Sequence, residues 1–184
     1  GRTGPGAPHA GDATYMVSVR GVSDSLLARI LESLPSASHP LSIALRNDTD
    51  THVVSGAPAD LASLVAAIER AAAKDKAAHD AHERGGRPLS PVCEYLPVYA
   101  PFHSPMLADA LELVDEWALQ CGIDASLAHS LAAAVLTTPV DWPEQIRSAT
   151  ASGAAWIVDM GPGATTVRMT RALVEGTGVG IVAA

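Results

Sequence analysis

With 184 residues, of which 48% are hydrophobic and 4% aromatic, the chain can bury a core and is not disordered as a whole. Alanine alone fills 34 positions, a composition that favours helices with thin side chains and close packing. The net charge is −8, and residues 88–146 carry eight acids (Glu94, Asp109, Glu112, Asp115, Glu116, Asp124, Asp141, Glu144) and no lysine or arginine, which excludes a nucleic-acid groove across that half. No apolar run approaches the length of a membrane span, so no membrane partner is expected. Residues 1–14 are rich in glycine, proline and alanine, lack the apolar stretch of a signal peptide, and read as a flexible linker. Cys93 and Cys121 have no CxxC spacing and lie in apolar or helical contexts, so they read as reduced, packed thiols of an intracellular, cytoplasmic protein, with no thiolate metal site.

The elements follow in chain order. Tyr15–Arg20 alternates and is β-rich, which predicts a strand broken by Gly21. Ser23 can cap a helix with Asp24 in its first turn, and Leu26, Leu27, Ile30, Leu31 and Leu34 give helical spacing up to Pro35. Leu41, Ile43 and Leu45 alternate as a second strand, Asn47–Asp50 is turn chemistry, and Thr51–Ser55 is a third strand, antiparallel to the second. Gly56 and Pro58 open a helix with Leu61, Leu64, Val65 and Ile68 on one face, running through to Gly85. Glu94–Tyr99 is a fourth strand, placed at an edge or bend by Pro97. The order βαββαβ predicts a ferredoxin-like unit over residues 15–100.

Residues 101–184 differ. Ser104 and Pro105 read as a cap and the first position of a helix whose buried face is Leu107, Leu111, Val114, Ala118 and Cys121. A helix covers Ser126–Leu136, and Asp141 caps a short one ending at Gly153. Ala155–Met160 is a nearly all-apolar run, as in a parallel strand buried on both faces, and Gly180–Ala184 begins another. Two such strands need partners from elsewhere, so the fold class is α/β (α+β): a ferredoxin-like subdomain followed by the C-terminal part of a larger α/β core.

Few residues are placed for chemistry. His103 falls between a strand and a helix cap, where a neighbouring helix N-terminus would keep the imidazole neutral and basic; from spacing alone it reads equally as a core or capping histidine. Ser104 is adjacent to it in sequence and is better suited as a cap than as its nucleophile, and no G-x-S-x-G elbow occurs in the chain. His79 and His82 form an HxxH that could share a helix face and ligate zinc, although no motif supplies a third ligand and a solvated helix end explains them as well. Gly176–Gly180 precedes a strand, the reverse of a dinucleotide loop, and reads as a turn; the turn Gly161-Pro162-Gly163 follows a strand, where backbone amides could approach a ligand.

Four segments, ALRNDTDTHVVSG, PVYAPFHSPML, TTPVDW and WIVDMGPG, together resemble the acyl-CoA:acyl-carrier-protein acyltransferases, which join a hydrolase-like core to a ferredoxin-like subdomain. The continuation GATTVRMTRALVEGTGVGIVAA is most similar to the starter (acetyl) transferase domain of type I fatty-acid synthases. The resemblance implies that His103 is the general base that activates a serine, that the Val135 backbone carbonyl orients its imidazole in place of an acid, that Phe102 disfavours branched acyl groups and that Asn47 lines the cleft between core and subdomain. It implies acyl-CoA as substrate with no covalently bound cofactor and no metal. The implied partners are the phosphopantetheine arm of an acyl carrier protein, the N-terminal half of the acyltransferase domain and other synthase domains. The nucleophilic serine and the arginine that would pair with a malonyl carboxylate are expected upstream of Gly1. An alternative reading is a nucleophile-less, ferredoxin-like ligand-binding or structural module of a large assembly.

Overall fold

The computed structural model describes residues 14–35, 40–83, 85–161, 163 and 165–183, so the linker expected over residues 1–14 lies almost wholly outside the described residues, as do Pro162 and Ala184. Strand β1 (Met16–Arg20) runs into helix α1 (Asp24–Ser33), then strands β2 (Ser42–Asp48) and β3 (Thr51–Ser55), helix α2 (Pro58–Asp80) and strand β4 (Val92–Tyr95). The strands order as β4-β1-β3-β2, every pair antiparallel, which is the ferredoxin-like arrangement read from the sequence. β4 is the edge strand and ends before Pro97, because a residue without an N–H cannot continue a ladder.

Alternation along the strands builds two cores. Val17, Val19 and Val54 point to the helix layer and pack with Val22, Leu27, Ile30, Leu61, Leu64 and Ile68. Burying each large aliphatic side chain stabilises the fold by about 1.5–3 kcal/mol. Met16, Ala44 and Val53 point the other way and are covered by Leu45, Leu96, Val98 and Phe102. His52 is fully buried on the helix side, where its Nε2–H donates to the Val22 carbonyl at 2.9 Å.

β2 departs from the alternation that the sequence suggested. Its pairing with β3 slips between Ile43 and Leu45 and again between Arg46 and Asp48, so Ala44 and Asn47 are bulged and only Thr49 and Asp50 remain as the turn. The bends free the outer edge of β2 to take a further strand, β5 (Val140–Asp141), in parallel, with Leu45 opposite Val140 and Arg46 opposite Asp141. This two-residue strand was not foreseen, and it grafts the second half of the chain onto the ferredoxin-like sheet.

Gly21 turns the chain from β1 into α1 at φ +74°, and a Cβ there would lie 3.0 Å from the Ser90 carbonyl oxygen. Both effects oppose a side chain, so Gly21→Ala should cost about 1–2 kcal/mol from the left-handed backbone alone. The check is denaturant unfolding, read as a lower midpoint at unchanged slope.

In the second half, Ser104 caps a 3₁₀ turn at Pro105–Leu107, and α3 (Ala110–Cys121) starts five residues after Pro105 instead of at it. α4 (Ala125–Leu136) and α5 (Trp142–Ala151) follow, capped by Asp124 on Leu127 N–H at 2.7 Å and by Asp141 on Glu144 N–H at 2.9 Å. β6 (Trp156–Asp159), α6 (Thr165–Val174) and β7 (Gly180–Ala183) form a separate two-stranded parallel sheet with one crossover helix. α6 had no counterpart in the sequence reading. Trp142 ties α5 to α6 by donating its indole N–H to the buried Thr170 hydroxyl at 3.1 Å. Trp156 and Val158 of β6 are 65% and 55% exposed; among the described residues β7 is the strand that pairs with β6, whose sequence reads as needing partners from elsewhere. Among the described residues, no helix is long and apolar enough to cross a membrane.

Candidate active site

His103 has φ +56°, a left-handed backbone that a non-glycine residue adopts only when its surroundings hold it there. Those surroundings are the carbonyl end of α4. The backbone N–H groups of His103 and Ser104 donate to the carbonyls of Val135 and Leu136 at 3.4 and 3.1 Å, satisfying two oxygens that the helix itself leaves free. One step further on, the imidazole Nδ1 meets the Thr138 carbonyl at 2.9 Å. A carbonyl can only accept, so Nδ1 carries the hydrogen and the Nε2 lone pair is left open.

This geometry corrects two expectations. The carbonyl on the imidazole belongs to Thr138, while that of Val135 holds the His103 backbone. The reason is local: a residue before proline is pushed out of the helical region, so Thr138, preceding Pro139, turns its carbonyl away from α4 and toward the ring. The helix end beside the ring also differs from the one expected. The turn after His103 is a single 3₁₀ turn, whereas α4 is twelve residues long and presents its negative end.

Phe102 is half-buried and packs on the sheet face formed by Met16, Ala44 and Val53, so it joins His103 to the ferredoxin-like unit. Asn47 occupies the second bulge of β2, one residue beyond the Arg46–Asp141 pairing, and is linked to His103 through the sheet and β5. Ser104 is fully buried and its Oγ accepts from the Met106 N–H at 3.2 Å, which is a capping role. The Thr138 contact and the β5 graft were missed; a threonine-proline pair just after a helix was the available signal.

The other candidates separate from this cluster. α2 ends at Asp80 and His82 lies beyond it at φ +59°, so the HxxH does not share a helix face. Among the described residues, no group of three or more His, Cys, Asp or Glu is placed around a metal. Cys93 is half-buried and unbridged; burial, and then the nearby Glu69 charge, push its thiol up, which keeps it protonated and unreactive. Cys121 is exposed and not packed as expected. Gly176 and Gly178 form the turn before β7, as read. In the WIVDMGPG segment, the Asp159 carboxylate accepts from the Gly161 and Val167 N–H groups at 2.8 and 3.1 Å, folding the loop back onto the start of α6.

Residues 15–95 match the family model of the fatty acid synthase central AT domain. The chain is 29% identical to fatty acid synthase subunit beta of Aspergillus oryzae, over 94% of this chain and 10% of that protein. Among solved structures, FabD from Acinetobacter baumannii superposes with a TM-score of 0.67 at 19% identity, over 94% of this chain and 54% of that one. A malonyl-transacylase solved in complex with its type II polyketide synthase acyl-carrier protein gives 0.64 at 18% identity, over 94% and 55%.

The chain thus resembles fatty acid synthase acyltransferases in sequence over residues 15–95 and shares the fold of solved transacylases. It spans about a tenth of the length of the curated relatives it matches and about half of the solved acyltransferase structures. The family match ends at Tyr95, so it covers the ferredoxin-like sheet, while the structural likeness extends over the His103 segment. The α/β fold read from the sequence is the fold of these acyltransferases.

Proposed function

We propose that this chain is the base-bearing part of an acyltransferase domain of a fatty-acid synthase, which moves an acetyl or malonyl group from coenzyme A to an acyl carrier protein. The observation that carries the reading is His103: a half-buried imidazole on a left-handed backbone, with Nδ1–H tied to a carbonyl and Nε2 open. A serine hydroxyl presented to Nε2 would lose its proton there as it attacks the acyl-CoA thioester. The imidazolium would be stabilised by the Thr138 carbonyl and the negative end of α4, the part that an acid plays in Ser-His-Asp sites. His103 then returns the proton to the departing coenzyme A thiolate. In the second half-reaction the same nitrogen takes the proton of the carrier-protein thiol as it attacks the serine ester, and gives that proton to the serine oxygen as the ester bond breaks. Phe102, beside the base and braced by the sheet, would limit the acyl group, and Asn47 at its bulge would line the cleft between core and subdomain.

The nucleophile is not among these 184 residues, since no G-x-S-x-G occurs. The chain by itself is therefore expected to form no acyl-enzyme. Intact-mass measurement after incubation with acetyl-CoA or malonyl-CoA should show the unmodified mass. A covalent acyl adduct would overturn the claim that the serine lies elsewhere.

A further inference from the structure

We infer that Arg46 is a positioning residue for His103, acting through Asp141 and the Thr138 carbonyl; this rests on the reading of His103 as the base. The carbonyl that fixes the imidazole lies in a short connection between α4 and α5, anchored on the α4 side by the Thr137 and Thr138 N–H groups, which donate to the Ala133 carbonyl at 3.0 and 2.9 Å. β5 pairs with β2 over two residues, and Pro139 has no N–H to offer. Arg46 supplies a further tether from the opposite strand. It faces Asp141 in the ladder, with Nη1 3.9 Å from one carboxylate oxygen, while its Nε–H donates to Asp24 Oδ1 at 3.0 Å.

Asp24 and Asp141 each open a helix, α1 and α5 respectively. The guanidinium thus spans from the start of α1 to the start of α5 across the edge of β2. Asp141 is itself held by the Glu144 N–H, so a shift of its carboxylate moves the end of β5. Thr138 is three residues back along an extended segment, and its carbonyl must stay 2.9 Å from Nδ1 for the ring to keep one tautomer. Arginine suits the task better than lysine because its planar fork can address both carboxylates at once. Each pair is part-exposed, about 40% at the arginine, so the effect belongs to the modest range of surface ion pairs.

The test is the nitrogen and carbon NMR spectrum of the His103 ring in the full 184-residue chain, which reports the tautomer directly. Wild type should show the Nδ1–H form as the major species. Arg46→Met should lower the ratio of Nδ1–H to Nε2–H forms by about two- to fivefold, the size expected for loss of exposed ion pairs. Asp141→Asn should do the same while keeping the α5 cap, since asparagine caps as well as aspartate. Arg46→Lys should restore part of the ratio. Unchanged ring signals in both Arg46→Met and Asp141→Asn would overturn the inference, and Asp141→Asn alone decides if the arginine variant does not fold. None of these readouts requires acyl transfer, so a failure here is distinct from a failure of the proposed catalytic role.

Discussion

On the proposed reading of His103 as the general base, His103→Ala in an acyltransferase assembled with this chain should lower the rate of acyl transfer by about 10²–10⁴-fold, the range for loss of such a base. The loss should appear in both half-reactions, because the same nitrogen handles the serine proton and the carrier thiol proton. Folding should survive. The side chain is half-buried and makes a single hydrogen bond, and the backbone bonds to Val135 and Leu136 do not depend on it. A second variant separates chemistry from strain. At φ +56°, His103→Gly relieves a left-handed backbone that costs an L residue about 1–2 kcal/mol. The glycine variant should therefore be at least as stable as the alanine variant and equally slow. Acyl-transfer rates and thermal midpoints of the two proteins are the measurements. A rate equal to wild type in either would remove His103 from the mechanism and leave it as part of the cap around Ser104.

The parts that were legible in the sequence are those governed by short-range periodicity. Val17 and Val19 are separated by Ser18 in a β-rich run, and Leu27, Ile30, Leu61, Leu64 and Ile68 repeat at helical spacing, so the βαββαβ order and its core follow directly. His103 and Phe102 were legible through the segment that contains them. The rest depends on contacts between distant residues. The bulges at Ala44 and Asn47 break the strand period in the pairing of β2 with β3, a feature of strands that meet across the turn and not of β2 alone. The imidazole partner is Thr138 in place of Val135 because the residue before Pro139 leaves the helical region, and that local preference gains its meaning only where His103 is brought beside it. α6 escaped because TTVRMTRALV is rich in threonine and valine, poor helix formers, and its helix is set by Val167, Thr170 and Val174 packing inward. Tertiary packing overrides local preference there.

The two halves of the chain should differ sharply in stability. We expect residues 15–100 to form an independently stable subdomain and residues 101–184 to depend on further elements of an acyltransferase core. In the 184-residue chain, amides of Val17, Val19, Ile43 and Val53 should exchange more slowly than those of Ile157, Val158 and Ile181. The expected ratio is on the order of 10²–10³, the gap between global and local opening. Both core clusters belong to the first unit, where β1 and β3 are each flanked on both sides and covered on both faces. Among the described residues β6 and β7 pair only with each other, and a lone two-stranded sheet is marginal in water. Their exposed side chains are apolar, with Trp156 at 65%, Val158 at 55% and Val182 at 45%. α4 repeats the pattern: Leu127, Leu131 and Val135 form an exposed stripe four residues apart, and none of its residues is buried. Surfaces of this kind are expected to meet the part of the acyltransferase domain that lies outside the aligned half. Adding that part should raise protection at Ile157, Val158 and Ile181 and leave Val17 and Val53 nearly unchanged. Equal, high protection across the isolated chain would show instead that β6, β7 and α4 are held by the 184 residues alone, and the division into a self-sufficient subdomain and a dependent core would fall.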